Sequence, residues 1–136
     1  MKYMLDTNIC IYIIKQKPPQ VLETFQRLEV GDVCISTITL AELEYGVAKS
    51  LHREKNQTAL AAFLVPLDIL PFSDKAALAC GKVRAALEKK GLLIGPYDLL
   101  ISSHALSEGL TLVTNNLSEF QHIPGLPVEN WVQETS

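Results

Sequence analysis

The 136-residue sequence is poor in cysteine and contains no long hydrophobic run. Its three cysteines, Cys10, Cys34 and Cys80, lie in apolar segments and match neither disulfide nor zinc-site spacing. We therefore expect reduced, buried thiols and a cytoplasmic protein. No stretch approaches the roughly 18 consecutive apolar residues of a membrane helix. Asp6 interrupts the first apolar run before the core of a signal peptide could form. We expect no membrane partner.

Charged residues are also few and evenly spread. They make up 20% of the chain and form no block of five like charges, which argues against disorder. The hydrophobic fraction of 48% is sufficient for a core, and the length predicts one domain over residues 1–136. A net charge of −3 argues mildly against nucleic acid as a partner, although an acidic metal site and a separate basic face can coexist.

The motifs of several common enzyme classes are missing. No glycine-rich loop of the kind that cradles phosphates is present, and no nucleophile elbow accompanies a Ser-His-Asp order. The histidines share no metal-binding spacing, so we expect them on the surface or on helix faces; they are His52, His104 and His122.

Short apolar segments alternate with segments of helical periodicity along the whole chain. We predict strands at residues 2–5, 33–35, 68–72 and 111–113, with a last extended piece near residues 128–131. Helices are predicted at residues 8–15, 20–28, 39–49, 55–64, 74–90 and 96–107. Pro71 should weaken the third strand or place it at an edge. This alternation predicts an α/β fold whose mainly parallel sheet carries helices on both faces.

Acidic side chains or their amides follow four of the apolar runs. They are Asp6, Glu42, Asp98 and Asn116, with Glu119 just beyond. Sites in parallel sheets lie beyond the carboxyl ends of the strands, where these side chains would meet. Such a cluster repels itself unless a hard cation occupies it, and carboxylate ligands favour Mg²⁺ or Mn²⁺. A site of this kind suits phosphodiester hydrolysis, in which the cation activates a water and a carboxylate accepts its proton.

Each acid also has a purely structural explanation. Thr39 and Glu42 have the spacing of a capping box, and that segment alone does not distinguish capping from function. Asp98 could complement a helix dipole, and Asp6 could cap a helix. Asn116 or Ser118 could likewise cap the turn that contains Glu119. Capping does not exclude function, because a capping carboxylate keeps lone pairs for a metal or its water.

The same segments resemble the PIN-domain ribonucleases, and most of all the VapC toxins of toxin–antitoxin pairs. The resemblance covers nearly the whole chain and rests on four motifs in the family's order and at its usual spacing: Met4–Asn8, Ile38–Gly46, Gly95–Ile101 and Leu112–Phe120. It implies a three-layer α/β/α sandwich and an endoribonuclease activity that depends on Mg²⁺, with Mn²⁺ as a substitute.

By motif match, Asp6, Glu42 and Asp98 correspond to the three core acids of the family. Where the family often has a fourth acid, this chain has the amide of Asn116. The resemblance implies that Glu119, one turn further, supplies the missing charge, so that Glu119 joins the catalytic set.

The resemblance also suggests which residues hold and support the metal. It implies that Asp6 and Asp98 are the metal ligands. Thr7 and Asn8 are expected to form hydrogen bonds near Asp6, and Thr114 is expected to position a water on the metal.

The family implies partners as well. We expect a homodimer, held inactive by a VapB-type antitoxin that places a basic side chain in the acidic pocket. Operator DNA would be bound only through that antitoxin. The expected substrate is structured RNA, in particular tRNA cut in the anticodon region, with initiator tRNA favoured by the segments at residues 95–98 and 114–117. Translation would stop as a result.

Other functional classes compete with this interpretation. A phosphatase could use Asp6 as its nucleophile, but that chemistry normally needs a second acid at the position of Asn8. A phospho-receiver would need paired acids that the chain does not clearly offer. A non-catalytic PIN-like interaction module is a further alternative, against which the three intact core acids speak.

Overall fold

The computed structural model describes residues 1–132 and contains a five-stranded sheet in the order β3-β2-β1-β4-β5. Every pairing in the sheet is parallel, and Met4 lies between Cys34 and Leu112. The strands are β1 (Tyr3–Leu5), β2 (Val33–Ser36), β3 (Asp68–Leu70), β4 (Thr111–Val113) and β5 (Val128–Glu129). The third strand lies at an edge, as the nearby proline predicts.

The helices also follow the predicted pattern, with ends shifted by a few residues. They are α1 (Thr7–Lys15), α2 (Pro19–Gln26), α3 (Thr37–Lys49), α4 (Arg53–Leu64), α5 (Asp74–Lys89), α6 (Pro96–Ser107) and α7 (Leu117–Phe120). The short helix α7 is an addition to the prediction. None of the helices within residues 1–132 is long and apolar enough to cross a membrane.

Alternation along the strands builds a core on each face of the sheet. Met4 and Leu112 pack with buried residues of α5, α6 and α7. Their chain neighbours Leu5 and Val113 pack on the opposite face with buried residues of α1, α2, α3 and α4. Successive side chains of a strand point to opposite faces, so short, wholly apolar strands require cover on both sides. The predicted α/β/α sandwich is therefore confirmed.

The strand order creates a crevice at one point of the sheet. From β1 the chain moves outward to β2 and β3, then returns to place β4 on the other side of β1. Ligands of open α/β sheets bind where the strand order reverses in this way, outside the carboxyl ends of the strands. Asp6 follows β1 and Thr114 follows β4, so both lie at this crevice.

The start of α3 differs from the sequence interpretation. The helix begins two residues earlier than predicted, and its N-cap is Ser36, whose hydroxyl accepts the Ile38 N–H at 3.0 Å. The capping-box alternative for Thr39 and Glu42 is therefore not observed. Thr39 lies fully buried within the helix, and the Glu42 carboxylate is available for other partners.

The two-faced core gives a stability prediction for β4. Leu112 is 0% exposed, so Leu112→Ala should lower the free energy of unfolding by about 2–5 kcal/mol through lost burial and a residual cavity. Leu93→Ala is the matched control, because Leu93 is 95% exposed and should change stability by less than about 0.5 kcal/mol. Urea unfolding of both variants measures the difference. Equal losses would contradict the burial of Leu112.

Candidate active site at the carboxyl edge of the sheet

Asp6 lies where β1 ends and α1 begins. Its side chain caps α1, with Oδ1 accepting the Ile9 N–H at 2.9 Å, and it is only 6% exposed. Burial raises the pKa of Asp6, while hydrogen bonds from the Thr114 hydroxyl and the Ile9 backbone oppose the rise. The nearby charge of Glu42 raises the pKa further. Asp6 is thus both a helix cap and part of an acidic cluster.

Glu42 is held in the site by a hydroxyl from α1. The Thr7 Oγ1 donates to Glu42 Oε1 at 2.6 Å, a bond that joins α1 to α3. The structure thus places the Thr7 hydroxyl on Glu42 rather than on Asp6. The Asn8 backbone lies close enough to Asp6 to oppose the rise in its pKa, while the Asn8 side chain is exposed.

Asp98 lies in the first turn of α6, within electrostatic reach of the other acids. Burial raises its pKa to about 6, and the charge of Glu119 and a hydrogen bond with it contribute to the rise. Asp6 and Glu42 add smaller repulsive contributions. The structure therefore brings together the four acids that the sequence nominated, although they come from four separate parts of the chain.

Asn116 acts on Glu119 rather than as a helix cap. Its Nδ2 donates to Glu119 Oε2 at 2.6 Å, and its own backbone N–H donates to Thr114 Oγ1 at 3.1 Å. Asn116 occupies the N-cap of α7 without a side-chain capping bond, and Ser118 Oγ donates to Asn116 Oδ1 at 3.2 Å. The capping role considered for either side chain is not observed. The amide instead orients the carboxylate beside Asp98.

Sequence reasoning missed two contacts near the site. Asn115 Nδ2 donates to the Tyr12 hydroxyl at 2.7 Å and so ties the end of β4 to α1. His104, expected on the surface or on a helix face, is 0% exposed on α6, with Nδ1 2.9 Å from Ser36 Oγ. The partners in each pair are far apart in sequence, so only covariation of the two positions among related sequences could have indicated these contacts.

The electrostatics of the cluster fit a hard divalent cation. Within residues 1–132 the one side-chain ion pair joins Arg84 to Glu88 on α5, so no lysine or arginine of that part neutralises the clustered acids. The same part has no three His, Cys, Asp or Glu side chains arranged to hold one metal together. Mg²⁺ usually takes only one or two carboxylates and completes its shell with water and substrate phosphate. Asp6 and Asp98 could supply that number.

Comparison with known proteins identifies the family. The sequence pattern of the PIN-domain family matches residues 3–126 of this chain. The chain belongs to the PIN-domain family. Within that family it is similar to Ribonuclease VapC2 of Rickettsia felis, with 51% identity over 96% of this chain and 98% of the relative. It is also similar to a tRNA(fMet)-specific endonuclease VapC of Salmonella typhimurium, with 48% identity over 96% of this chain and 98% of the relative.

A solved structure supports the fold of this PIN domain. The crystal structure of VapBC2 from Rickettsia felis, bound to a DNA fragment from its promoter, superposes with a TM-score of 0.89. The sequence identity is 49%, and the match covers 96% of this chain and 99% of that one. The predicted resemblance to VapC-type PIN domains is confirmed.

The raised pKa of Asp98 gives a pH-dependent stability prediction. The folded-state pKa of about 6 exceeds the ordinary 3.8, so the charged form opposes folding. That cost is absent below about pH 4, grows as the pH rises towards 6, and is complete above pH 6. Asp98→Asn should therefore stabilise the metal-free protein at pH 8 by about 1–2 kcal/mol, after allowance for solvent screening.

Thermal unfolding in EDTA at pH 4 and pH 8 measures this effect. Asp68→Asn is the matched control, because Asp68 is exposed on the edge strand and should change the melting temperature little at either pH. A gain from Asp98→Asn that is equal at both pH values would show that the charge of Asp98 is not its cause.

Proposed function

We propose that this PIN domain is a metal-dependent endoribonuclease toxin that cuts tRNA. The observation that carries the proposal is the gathering of Asp98 with Glu119, Asp6 and Glu42, where burial and then the charges of the other three acids raise the pKa of Asp98 to about 6. Four unneutralised carboxylates at the switch point of a PIN fold are an arrangement for binding a hard cation. A structural role alone would not require all four at one place.

Each residue of the cluster has a distinct part in the proposed reaction. Asp6 and Asp98 would hold the cation, which when bound supplies an activated water and stabilises charge at the leaving oxygen. Glu42 and Glu119 are available to accept the proton of the attacking water, because their partners Thr7, Asn116 and Asp98 leave lone pairs free on each carboxylate. Mg²⁺ is the proposed cation, with Mn²⁺ as its substitute.

The Thr114 hydroxyl supports this arrangement from β4. It lies within hydrogen-bonding reach of Asp6 and opposes the rise in the pKa of that carboxyl. The same hydroxyl accepts the Asn116 N–H, so it links the acid after β1 to the loop that carries Glu119. We assign Thr114 the role of orienting Asp6 and any water beside it.

The proposed substrate is initiator tRNA, cut in the anticodon region. The Salmonella typhimurium relative is described as tRNA(fMet)-specific, and it is 48% identical to this chain over 131 residues. Loss of initiator tRNA would stop translation, and the proposal therefore places the protein in the cytoplasm. The stretch at residues 95–98 contains Asp98, and the stretch at residues 114–117 leads to Glu119, so both are suited to contact the RNA near the cut.

The proposed partners are a VapB-type antitoxin and a second copy of the chain. The Rickettsia felis structure is a VapBC2 complex on promoter DNA, which supports a toxin–antitoxin pair in which DNA is reached through the antitoxin. A guanidinium from the antitoxin would satisfy the carboxylates of Asp98 and Glu119 and exclude the cation. Inhibition would thus follow from the same electrostatics that favour metal binding.

The test is cleavage of purified total tRNA by the antitoxin-free protein. We expect discrete cuts in Mg²⁺ or Mn²⁺, no cuts in EDTA, and a loss of at least about 100-fold in rate for Asp98→Asn. Mapping of the new ends should place the main cut in the anticodon loop of initiator tRNA. Asp68→Asn should cleave at the wild-type rate, since Asp68 lies on the far edge strand.

The outcome also separates the competing functions. Folded wild-type protein that cuts neither tRNA nor rRNA in either metal would refute the ribonuclease. Turnover of a phosphomonoester without RNA cleavage would favour the phosphatase, and thermal stability unaffected by Mn²⁺ would favour the interaction module. Cuts confined to a different tRNA would support the proposed ribonuclease activity and reject only initiator tRNA as its substrate.

A further inference from the structure

We propose that His104 is a positioning residue for the active site, acting through a buried hydrogen bond to Ser36. This inference rests on the proposed ribonuclease function. The bond joins α6, which carries Asp98, to the N-cap of α3, which carries Glu42. His104 would thereby fix the spacing between two of the acids without contacting RNA or metal itself.

The Ser36–His104 pair lies entirely inside the protein. Ser36 ends β2, caps α3 and is 0% exposed, and its Oγ accepts the Ile38 N–H at 3.0 Å. The Nδ1 of His104 lies 2.9 Å from the same oxygen, across 68 positions of sequence. A hydrogen bond between two fully buried groups is costly to break, because each would be left without a partner.

The direction of this bond follows from the count of donors and acceptors. The Ser36 oxygen already accepts a backbone N–H, so its single proton needs an acceptor. The acceptor that the structure offers is His104 Nδ1, which places the ring proton on Nε2. Burial lowers the pKa of His104, opposed by the charge of Glu108 at the C-cap of α6, so the neutral ring is favoured. Nε2 has no partner among residues 1–132.

A second contact holds the ring against the same turn of α3. The Phe72 ring meets the His104 ring edge-on, with 5.5 Å between the ring centroids. The Phe72 backbone N–H donates to Thr37 Oγ1 at 3.1 Å, and Thr37 is the first residue of α3. His104 is therefore fixed by Ser36 directly and by Thr37 through Phe72.

The position of this contact relative to the acids explains its proposed effect. At the rise of an α-helix, Glu42 lies about 9 Å along the axis of α3 from Ser36. Asp98 lies about 9 Å along the axis of α6 from His104. A change of tilt at the buried bond would therefore move the two carboxylates relative to each other. Misplacement of a catalytic group by about 1 Å can cost about 100-fold in rate.

The first test compares two serine caps. Ser36→Ala should lower kcat by about tenfold or more, because the catalytic acids lose their spacing. KM should stay within about twofold, because the groups that bind the substrate are unchanged. Ser73→Ala is the matched control, since Ser73 caps α5, where its Oγ accepts the Ala76 N–H at 3.4 Å, and α5 carries no site acid. Its kcat should equal that of the wild type at temperatures where both variants are folded.

Substitutions of His104 test the pair from the other side. His104→Leu removes the acceptor and should lower kcat about as much as Ser36→Ala, while the double variant should be no worse than either single one. His104→Asn should restore part of the rate, because its amide oxygen can accept the Ser36 proton. Additive losses in the double variant would show that the two residues do not act as a pair.

A spectroscopic measurement tests the bond without relying on catalysis. In ¹⁵N NMR of the metal-free full chain at pH 7, His104 should be neutral with its proton on Nε2. Ser36→Ala should shift the Nδ1 resonance, whereas Ser73→Ala should not. A proton on Nδ1, or equal kcat values for the two serine variants of an active enzyme, would overturn the proposal. An inactive wild-type protein would instead refute the proposed function on which it rests.

Discussion

Like-charge repulsion at the carboxyl edge of the sheet is the constraint on which the site depends. Asp98 shows it most clearly, since burial and three other acids raise its pKa to about 6. A protein selected only for stability would separate such groups or pair them with cations. Here the fold holds the acids together, which is typical of a site whose counter-ion is a bound cation rather than a basic side chain.

Uncharged donors hold the acids in place without neutralising them. Thr7 donates to Glu42, Asn116 donates to Glu119, and the Ile9 backbone donates to Asp6. Hydroxyl and amide donors orient a carboxylate but leave its charge intact, whereas a lysine or arginine would compete with a metal. The amide at position 116 has a clear role in this scheme, because it orients Glu119 where the family often has an acid.

The surrounding helices turn local contacts into a defined geometry. The acids belong to segments that meet only through tertiary contacts, so each helix must be fixed relative to the sheet. The Tyr12–Asn115 bond ties α1 to the end of β4, and the Ser36–His104 bond ties α3 to α6. Buried polar pairs of this kind favour one arrangement of neighbouring helices, because any other leaves a group unsatisfied.

The sequence by itself determined the alternation of strands and helices, the α/β class and the identity of the acids. Those features depend on apolar periodicity and on residue type, which are local properties. The tertiary structure decided the strand order, the cap at Ser36 in place of Thr39, the burial of His104 and the partner of Thr7. The strand order, the burial of His104 and the partner of Thr7 depend on which distant segment lies alongside, and a side chain chooses its hydrogen-bond partner only after packing has fixed its neighbours.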